Sequence, residues 1–286
     1  YIGLPTAVTF TLAGYEVCGF DVKAETVEIL SQGKINIVEP GLQEALAEAM
    51  ATGRLHFTTT PEPADVFIIA VQTPYRETPE KKRVSDMRFV ESAAREVGSV
   101  IRPGGLCVLE STSPPGSTRL VEQIVSEVSG LKPEEFMTAH CPERIIPGRM
   151  LLELRQNDRI IGSNRPEAAE YAKSIYEKVV TKGTIRLTDD LTAEMCKLTE
   201  NTFRDINIAY ANELSKVCDR LGIDVFQLIE LANCHPRVNV HTPGVGVGGH
   251  CIAVDPWFIH EKFEDITPLI AEARHVNDTK PEWVVE

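Results

Sequence analysis

The stretch Asp65–Pro74, DVFIIAVQTP, decides the fold. Apolar residues run unbroken from Val66 to Val71, and Thr73-Pro74 closes the run. A strand with one wet face alternates polar and apolar residues; a continuous run is covered on both faces. Residues 104–118, GGLCVLESTSPPGST, repeat the pattern with glycines at entry and serine, threonine and proline at exit. Working outward, YEVCGFDV (15–22) is a strand of β-formers ending at Asp21, and EFMTAHCPER (135–144), DRIIGS (158–163) and GTIRLT (183–188) follow. Helical stretches lie between them, such as Leu120 to Val128 and Glu167 to Val179. This alternation predicts an α/β, Rossmann-type doubly wound parallel sheet. Ligands bind beyond the carboxyl ends of such strands. Those ends carry Asp21, Thr73, Ser111-Thr112 and Pro142-Glu143.

From about Thr188 the texture changes. Residues 187–223 contain no glycine or proline until Gly222. Leu191, Met195, Leu198, Ile206, Tyr210, Leu214, Val217 and Leu221 follow helical spacing. Asp189 or Thr192 can cap the start and Gly222 suits the stop. Some 30 helical residues span about 45 Å. The expected division is a sheet domain over residues 1–187 and an all-helical central domain with a long helix over 188–286. A helix of that length wants a partner, so a homodimer through it is expected; burial under a further domain is the alternative.

The chain has 286 residues, 43% hydrophobic and 25% charged, with a net charge of −13. That balance argues against a nucleic-acid partner, because phosphate contacts need clustered Lys and Arg. The one short basic run, EKKRV near Lys82, reads as a solvated loop. No apolar run reaches the ~18 residues of a membrane span, and no signal peptide is visible. Seven scattered cysteines without CxxC suit a reducing, cytoplasmic setting. No metal site is expected: Cys234-His235 and His250-Cys251 are chain neighbours, which suits chelation of one ion badly. The first residues, YIGLPTAVTF, read as starting inside an element.

Several residues could carry chemistry. The dinucleotide fingerprint needs a glycine-rich turn opening a helix and an acid about 20 positions on. Gly3 can be its third glycine, with the first strand and first two glycines preceding the chain. Asp21, 18 positions later, can accept from an adenosine ribose hydroxyl. Lys197 and Asn201 share a helix face four residues apart. They are either a surface pair or donors to an alkoxide. In GVGVGGHCIAVDP (244–256), Cys251 follows Gly248 and Gly249, and Asp255 comes four residues later. Glycines let a ligand approach backbone. Cys251 is either a cysteine packed in a tight turn or a nucleophile for an aldehyde. Asp255 can activate water or steady an ammonium. A protease dyad has little support, since His250 adjoins Cys251.

Together YIGLPTA (1–7), LESTSPPGST (109–118), CPERIIPGRM (141–150), the helix 193–218, ELANCHPRVN (230–239) and GVGGHCIAVDPWF (246–258) resemble the UDP-glucose/GDP-mannose dehydrogenase family over nearly the whole chain. The resemblance implies NAD as cofactor and a UDP-sugar as substrate. It implies four-electron oxidation at C6 through an enzyme thioester, feeding surface polysaccharide synthesis. It assigns Cys251 as nucleophile, Lys197 and Asn201 to the oxyanion, and Asp255 to work with Lys197 and water. Glu143 matches the acid/base of thioester hydrolysis and Thr112 its water-positioning partner. Gly3, Asp21, Thr73 and Thr112 fall on the cofactor side. Glu143, Arg144, Lys197, Asn201, Arg237, Gly248 and Gly249 fall on the sugar side. Pro147 stands where glucose-type members carry a second Glu; the mannosamine-type pattern shares this proline, so the expected substrate is UDP-N-acetyl-D-mannosamine. Gln72 replaces the usual proline of PTP. The family continues into a C-terminal UDP-binding domain beyond NDTKPEWVVE. Two rivals remain. A single-hydride dehydrogenase of the β-hydroxyacid type also pairs Lys and Asn but needs no Cys251. A non-catalytic nucleotide-binding or dimerisation module would bind without turnover.

Overall fold

A computed structural model describes residues 2–80, 82–249 and 251–286. In chain order its elements are α1 (Gly3–Leu12), β1 (Val17–Phe20), α2 (Ala24–Ser31), α3 (Leu42–Ala51), β2 (Leu55–Thr58), β3 (Val66–Ile69), β4 (Tyr75–Glu77), β5 (Arg83–Ser85), α4 (Arg88–Val100), β6 (Leu106–Leu109), α5 (Ser117–Ser129), β7 (Met137–His140), α6 (Met150–Gln156), β8 (Arg159–Gly162), α7 (Pro166–Tyr176), β9 (Ile185–Thr188), α8 (Asp190–Leu221), α9 (Val225–Asn233), α10 (Asp255–His260) and α11 (Pro268–Val285). The chain forms two compact units. The first comprises Tyr1–Thr73, Met87–Thr112 and Gly116–Glu194; the second comprises Pro74–Asp86, Ser113–Pro115 and Met195–Glu286.

In the first unit β1 pairs with β2 in parallel, and a five-stranded sheet runs in the order β3-β6-β7-β8-β9. Strand β6 is fully buried and sends alternate residues to opposite faces. Cys107 and Leu109 join α4 and α5 through Val90, Ala94, Val121 and Val125. Leu106 and Val108 join Phe10 of α1 and Ala169, Ala172 and Tyr176 of α7. Each large apolar side chain so buried contributes about 1.5–3 kcal/mol. The doubly covered sheet predicted from the unbroken apolar runs is therefore present. In α1, buried threonines satisfy their hydroxyls locally: Thr9 donates to Pro5 O (2.7 Å) and Thr11 to Ala7 O (2.8 Å).

The sheet is parallel through β3, β6 and β7. Strand β8 then runs antiparallel to β7, with His140 opposite Gly162, and β9 is parallel to β8. Continuing that register three residues outward sets Arg159 opposite Glu143, beyond the carboxyl end of β7. At the other end of β8, Gly162 accepts the start of α8. An added Cβ there would lie 2.3 Å from Asp189 O and 2.5 Å from Ala193 Cβ. We expect Gly162→Ala to destabilise the fold by about 1–3 kcal/mol, the usual cost of overpacking against backbone. Urea unfolding checks this; an unchanged midpoint would show that the helix start can slide.

Helix α8 begins in the first unit and runs on through the second, 32 residues in all, or about 48 Å. Asp189 caps it by accepting from Thr192 N (2.9 Å), and Gly222 follows its last residue at φ +67°. Its buried face differs from the apolar stripe that the spacing suggests. Leu198 is buried, but Tyr210, Val217 and Leu221 are exposed, and Asn201, Thr202, Asp205 and Asn212 point inward. For Asp205 and Asn212 the reason is a polar core shared with α11. Fully buried Arg274 donates to Asp205 (2.5 Å), and Asn277 Nδ2 donates to the same carboxylate (2.8 Å). Asn212 Nδ2 donates to Asn277 Oδ1 (2.8 Å).

The reading of EKKRV as a solvated loop is corrected in part. Arg83–Ser85 forms β5, antiparallel to β4, in the second unit. Arg83 lies over the rings of Tyr75 and Trp257 and pairs with Asp278, which holds its flat guanidinium off solvent. Lys82 keeps to the surface and pairs with Glu264 (2.7 Å).

Candidate active site

The predicted site residues fall into two groups, one in each unit. In the second unit, Lys197 and Asn201 occupy successive turns of α8 and Asp255 is the first residue of α10. Leu198, Val254, Phe258 and Ile259 pack α10 onto α8, which fixes these side chains against each other. Asn201 Nδ2 donates to Asp255 Oδ2 at 2.5 Å, and both residues are buried. Burial pushes the Asp255 carboxyl up to about 6, against the Asn201 hydrogen bond and the Lys197 charge, which favour the ionised form. Asp255 N–H donates to Cys251 O (2.8 Å), so one helical turn joins thiol and carboxylate. Cys251 is exposed. Partial burial of its thiol and the nearby Asp255 charge raise its pKa, while Lys197 and Arg204 pull it down.

Around this centre the loops are open. Gly249 has φ +87°, and a Cβ at Gly248 or Gly249 would meet nothing within 4 Å. Conformation at Gly249, rather than lack of room, calls for glycine. Arg237 is exposed on a loop closed by Asn233, which donates to Val240 O (3.0 Å) and accepts from Val240 N (2.7 Å). His250 lies outside the described residues.

In the first unit, the cofactor-side residues sit where an α/β sheet binds ligands. Gly3 opens α1 close to the end of β3; a Cβ on it would lie 3.8 Å from Ala70 Cβ. Asp21 follows β1 directly and accepts from Lys23 N (2.8 Å). Thr73, beyond β3, donates to Thr112 O beyond β6 (2.6 Å). A helix N-terminus beside an acid at the neighbouring strand end suits a dinucleotide's phosphates and ribose. These residues therefore fit NAD.

Glu143 is held by two donors. Arg144 N–H donates to Oε1 (2.7 Å) and Arg159 Nη2 to Oε2 (2.9 Å). Arg144 turns its own guanidinium to Asp158 O (3.1 Å). Arg159 also pairs with Glu110 (3.6 Å), lies over the Tyr176 ring and approaches Cys141 Sγ (3.9 Å). Burial, and then the Glu143 charge, push Glu110 up to about 8. One guanidinium thus serves the buried Glu110 and the partly buried Glu143, and Glu110 keeps a proton near neutrality.

Sequence reading missed Glu110, Arg159 and Glu194. Glu194 accepts from Gly116 N (2.6 Å) and Thr118 N (2.7 Å), capping α5 from α8. The available signal was a lone acid closing an apolar strand at Glu110 and a lone cation opening one at Arg159.

Residues 1–180 match the NAD binding domain of the UDP-glucose/GDP-mannose dehydrogenase family, and residues 191–279 match its central domain. The chain is 48% identical to the UDP-N-acetyl-D-mannosamine dehydrogenase of Yersinia pestis, over all of the chain and 69% of that protein. It is also 48% identical to an NDP-N-acetyl-D-galactosaminuronic acid dehydrogenase of Ralstonia nicotianae, over all of the chain and 68% of that protein. The structure of a UDP-D-ManNAc dehydrogenase from Pyrococcus horikoshii superposes with a TM-score of 0.94 at 42% identity, covering all of this chain and 68% of that one. Among the described residues no helix is long and apolar enough to cross a membrane. The chain therefore belongs to the UDP-glucose/GDP-mannose dehydrogenase family and is an NAD-dependent oxidoreductase of nucleotide-linked sugars.

Proposed function

We propose that the chain oxidises UDP-N-acetyl-D-mannosamine at C6 to the uronate in two hydride removals, with Cys251 as the covalent nucleophile. Residues 1–187 serve as the NAD-binding domain and 188–286 as the domain carrying the thiol. The observation that carries the reading is the buried Asn201–Asp255 pair one helical turn from an exposed Cys251. NAD supplies the hydride acceptor when bound. The C6 hydroxyl gives up its proton to solvent water as the first hydride leaves, and Lys197 and the second Asn201 N–H stabilise the oxyanion. Cys251 Sγ adds to the aldehyde carbon, and Asp255 takes the thiol proton. Loss of the second hydride leaves a thioester. Water cleaves it to carboxylate and thiol, a step assigned to Glu143 and Thr112, with the Glu143 carboxyl held in place by its two donors. Each sugar thus consumes one water and two NAD+ and releases two NADH and three protons.

The first test counts NADH per sugar under limiting substrate in the full-length protein. Two are expected; one would turn the reading to a single-hydride enzyme. The pH profile tests Asp255. Its carboxyl, raised to about 6, is a base only when ionised. Activity should fall as pH drops through about 6, and Asp255→Asn should lose the limb and about 10²–10⁴ in rate. An unchanged limb in that variant would remove Asp255 from the chemistry.

The same reading includes a homodimer through α8. Phe203, Tyr210, Val217 and Leu221 recur along one exposed flank of the helix, and Phe226 and Leu231 of α9 are exposed as well. Large apolar side chains exposed along one flank support an interface there. Tyr210→Asp with Val217→Asp is expected to yield monomers in sedimentation; a wild-type monomer would refute the dimer.

A further inference from the structure

Outside the residues above, the first unit gathers three unlike donors on one face of the β1–β2 ladder. Cys18 and His56 are register partners in that parallel pair, so both side chains leave the same face. Glu62 returns from the segment after β2. It stands between Pro61 and Pro63, whose rings restrict the segment. Thr58 Oγ1 folds the preceding turn by donating to Thr60 O (3.1 Å) and accepting from Thr60 N (3.0 Å). Glu62 Oε2 lies 3.0 Å from His56 Nε2, and the three donor atoms all fall within 4.8 Å of one another.

We propose that Cys18, His56 and Glu62 bind one thiophilic transition-metal ion of the Zn²⁺ class and so clip β1 to β2. Zinc bonds of about 2.3 Å to sulfur and about 2.0–2.2 Å to nitrogen and oxygen put tetrahedral neighbours roughly 3.3–3.6 Å apart. The donors already lie within 4.8 Å of one another, at most roughly 1.5 Å beyond that spacing, and the exposed side chains of His56 and Glu62 can close the remainder by rotation. Thiolate, imidazole and carboxylate together favour zinc or cobalt over magnesium and calcium, which take oxygen ligands. Water completes the fourth position. On binding, Cys18 Sγ passes its proton to solvent and takes the metal in its place. The clip sits three residues before Asp21, whose N–H donates to Thr58 O (3.2 Å), so the metal stiffens the strand ends that present the ribose acid.

The test is titration of the full-length, chelator-treated protein with Co²⁺ alone, read by the thiolate-to-cobalt band and the visible bands of tetrahedral cobalt. One equivalent is expected, displaced by Zn²⁺. The bands should vanish in Cys18→Ser, while His56→Gln and Glu62→Gln should weaken binding about tenfold or more. A Cys234→Ser/Cys251→Ser background should keep them, which separates this site from the other exposed thiols. Metal-free melting temperatures of the variants near wild type confirm that they fold. No thiolate band in wild type, or an undiminished band in Cys18→Ser, would overturn the site.

Discussion

Replacing Cys251 with serine is expected to abolish uronate formation, lowering the two-NADH turnover by at least about 10³-fold, as loss of a covalent nucleophile does. The reason lies in the turn that joins residues 251 and 255. A thiol gives up its proton far more readily than a hydroxyl, and Asp255, with a carboxyl near 6, can take it. Its own pKa is raised by partial burial and by Asp255, so little thiolate stands free at neutral pH. Proton transfer must then accompany attack on the aldehyde. A serine oxygen in the same place would need a much stronger base. The residue is exposed and packs little, so the fold should be untouched. Circular dichroism and NAD binding serve as controls. Wild-type turnover in Cys251→Ser would reduce the cysteine to a turn residue and favour the single-hydride rival.

Arg159→Met should be the most destabilising single change in the first unit, by about 3–5 kcal/mol at pH 8, since it breaks a buried ion pair from one side. The methionine fills similar volume but leaves Glu110 and Glu143 facing each other without a cation. Glu110, already raised by burial, then ionises still less readily in the folded state than in the unfolded chain, because the Arg159 charge that opposed that rise is gone. A folded pKa above the unfolded value means stability is retained at low pH and lost as pH rises. The loss should therefore be smaller at pH 5, where a proton can replace the guanidinium. Urea denaturation at both pH values measures it. A loss below about 1 kcal/mol at both, the range of a surface pair, would show that the charges are solvated after all. Arg159→Lys should recover part of the stability, since it restores charge but not the fork that meets two carboxylates.

What could be read early followed local periodicity. The unbroken apolar runs gave away strands covered on both faces, because burial on two sides leaves no reason for alternation. The long glycine-free segment after Thr188 announced α8, with its cap and its stop. What the spacing did not show was the polar face that α8 turns inward. Spacing marks which residues share a side, but Asp205 and Asn212 find partners only where α11 brings Arg274 and Asn277, and Asn201 only where α10 brings Asp255. EKKRV was misread for a related reason: a charged residue is taken as solvated unless its partners, here Asp278 and two rings, are known.

The sequence by itself determined the α/β class, the long helix, the family and the residue types at the site, all of which rest on motifs and periods within a few tens of residues. Only the tertiary structure decided who partners whom. The reversal of β8 against β7 sets Arg159 beside Glu143, and a parallel entry would have left that cation at the far end of the strand. The ladder of β1 and β2 joins Cys18 to His56 across 38 positions of chain. Such pairings depend on strand direction and register, which the chain settles by burying its apolar faces together, and no local pattern records the outcome.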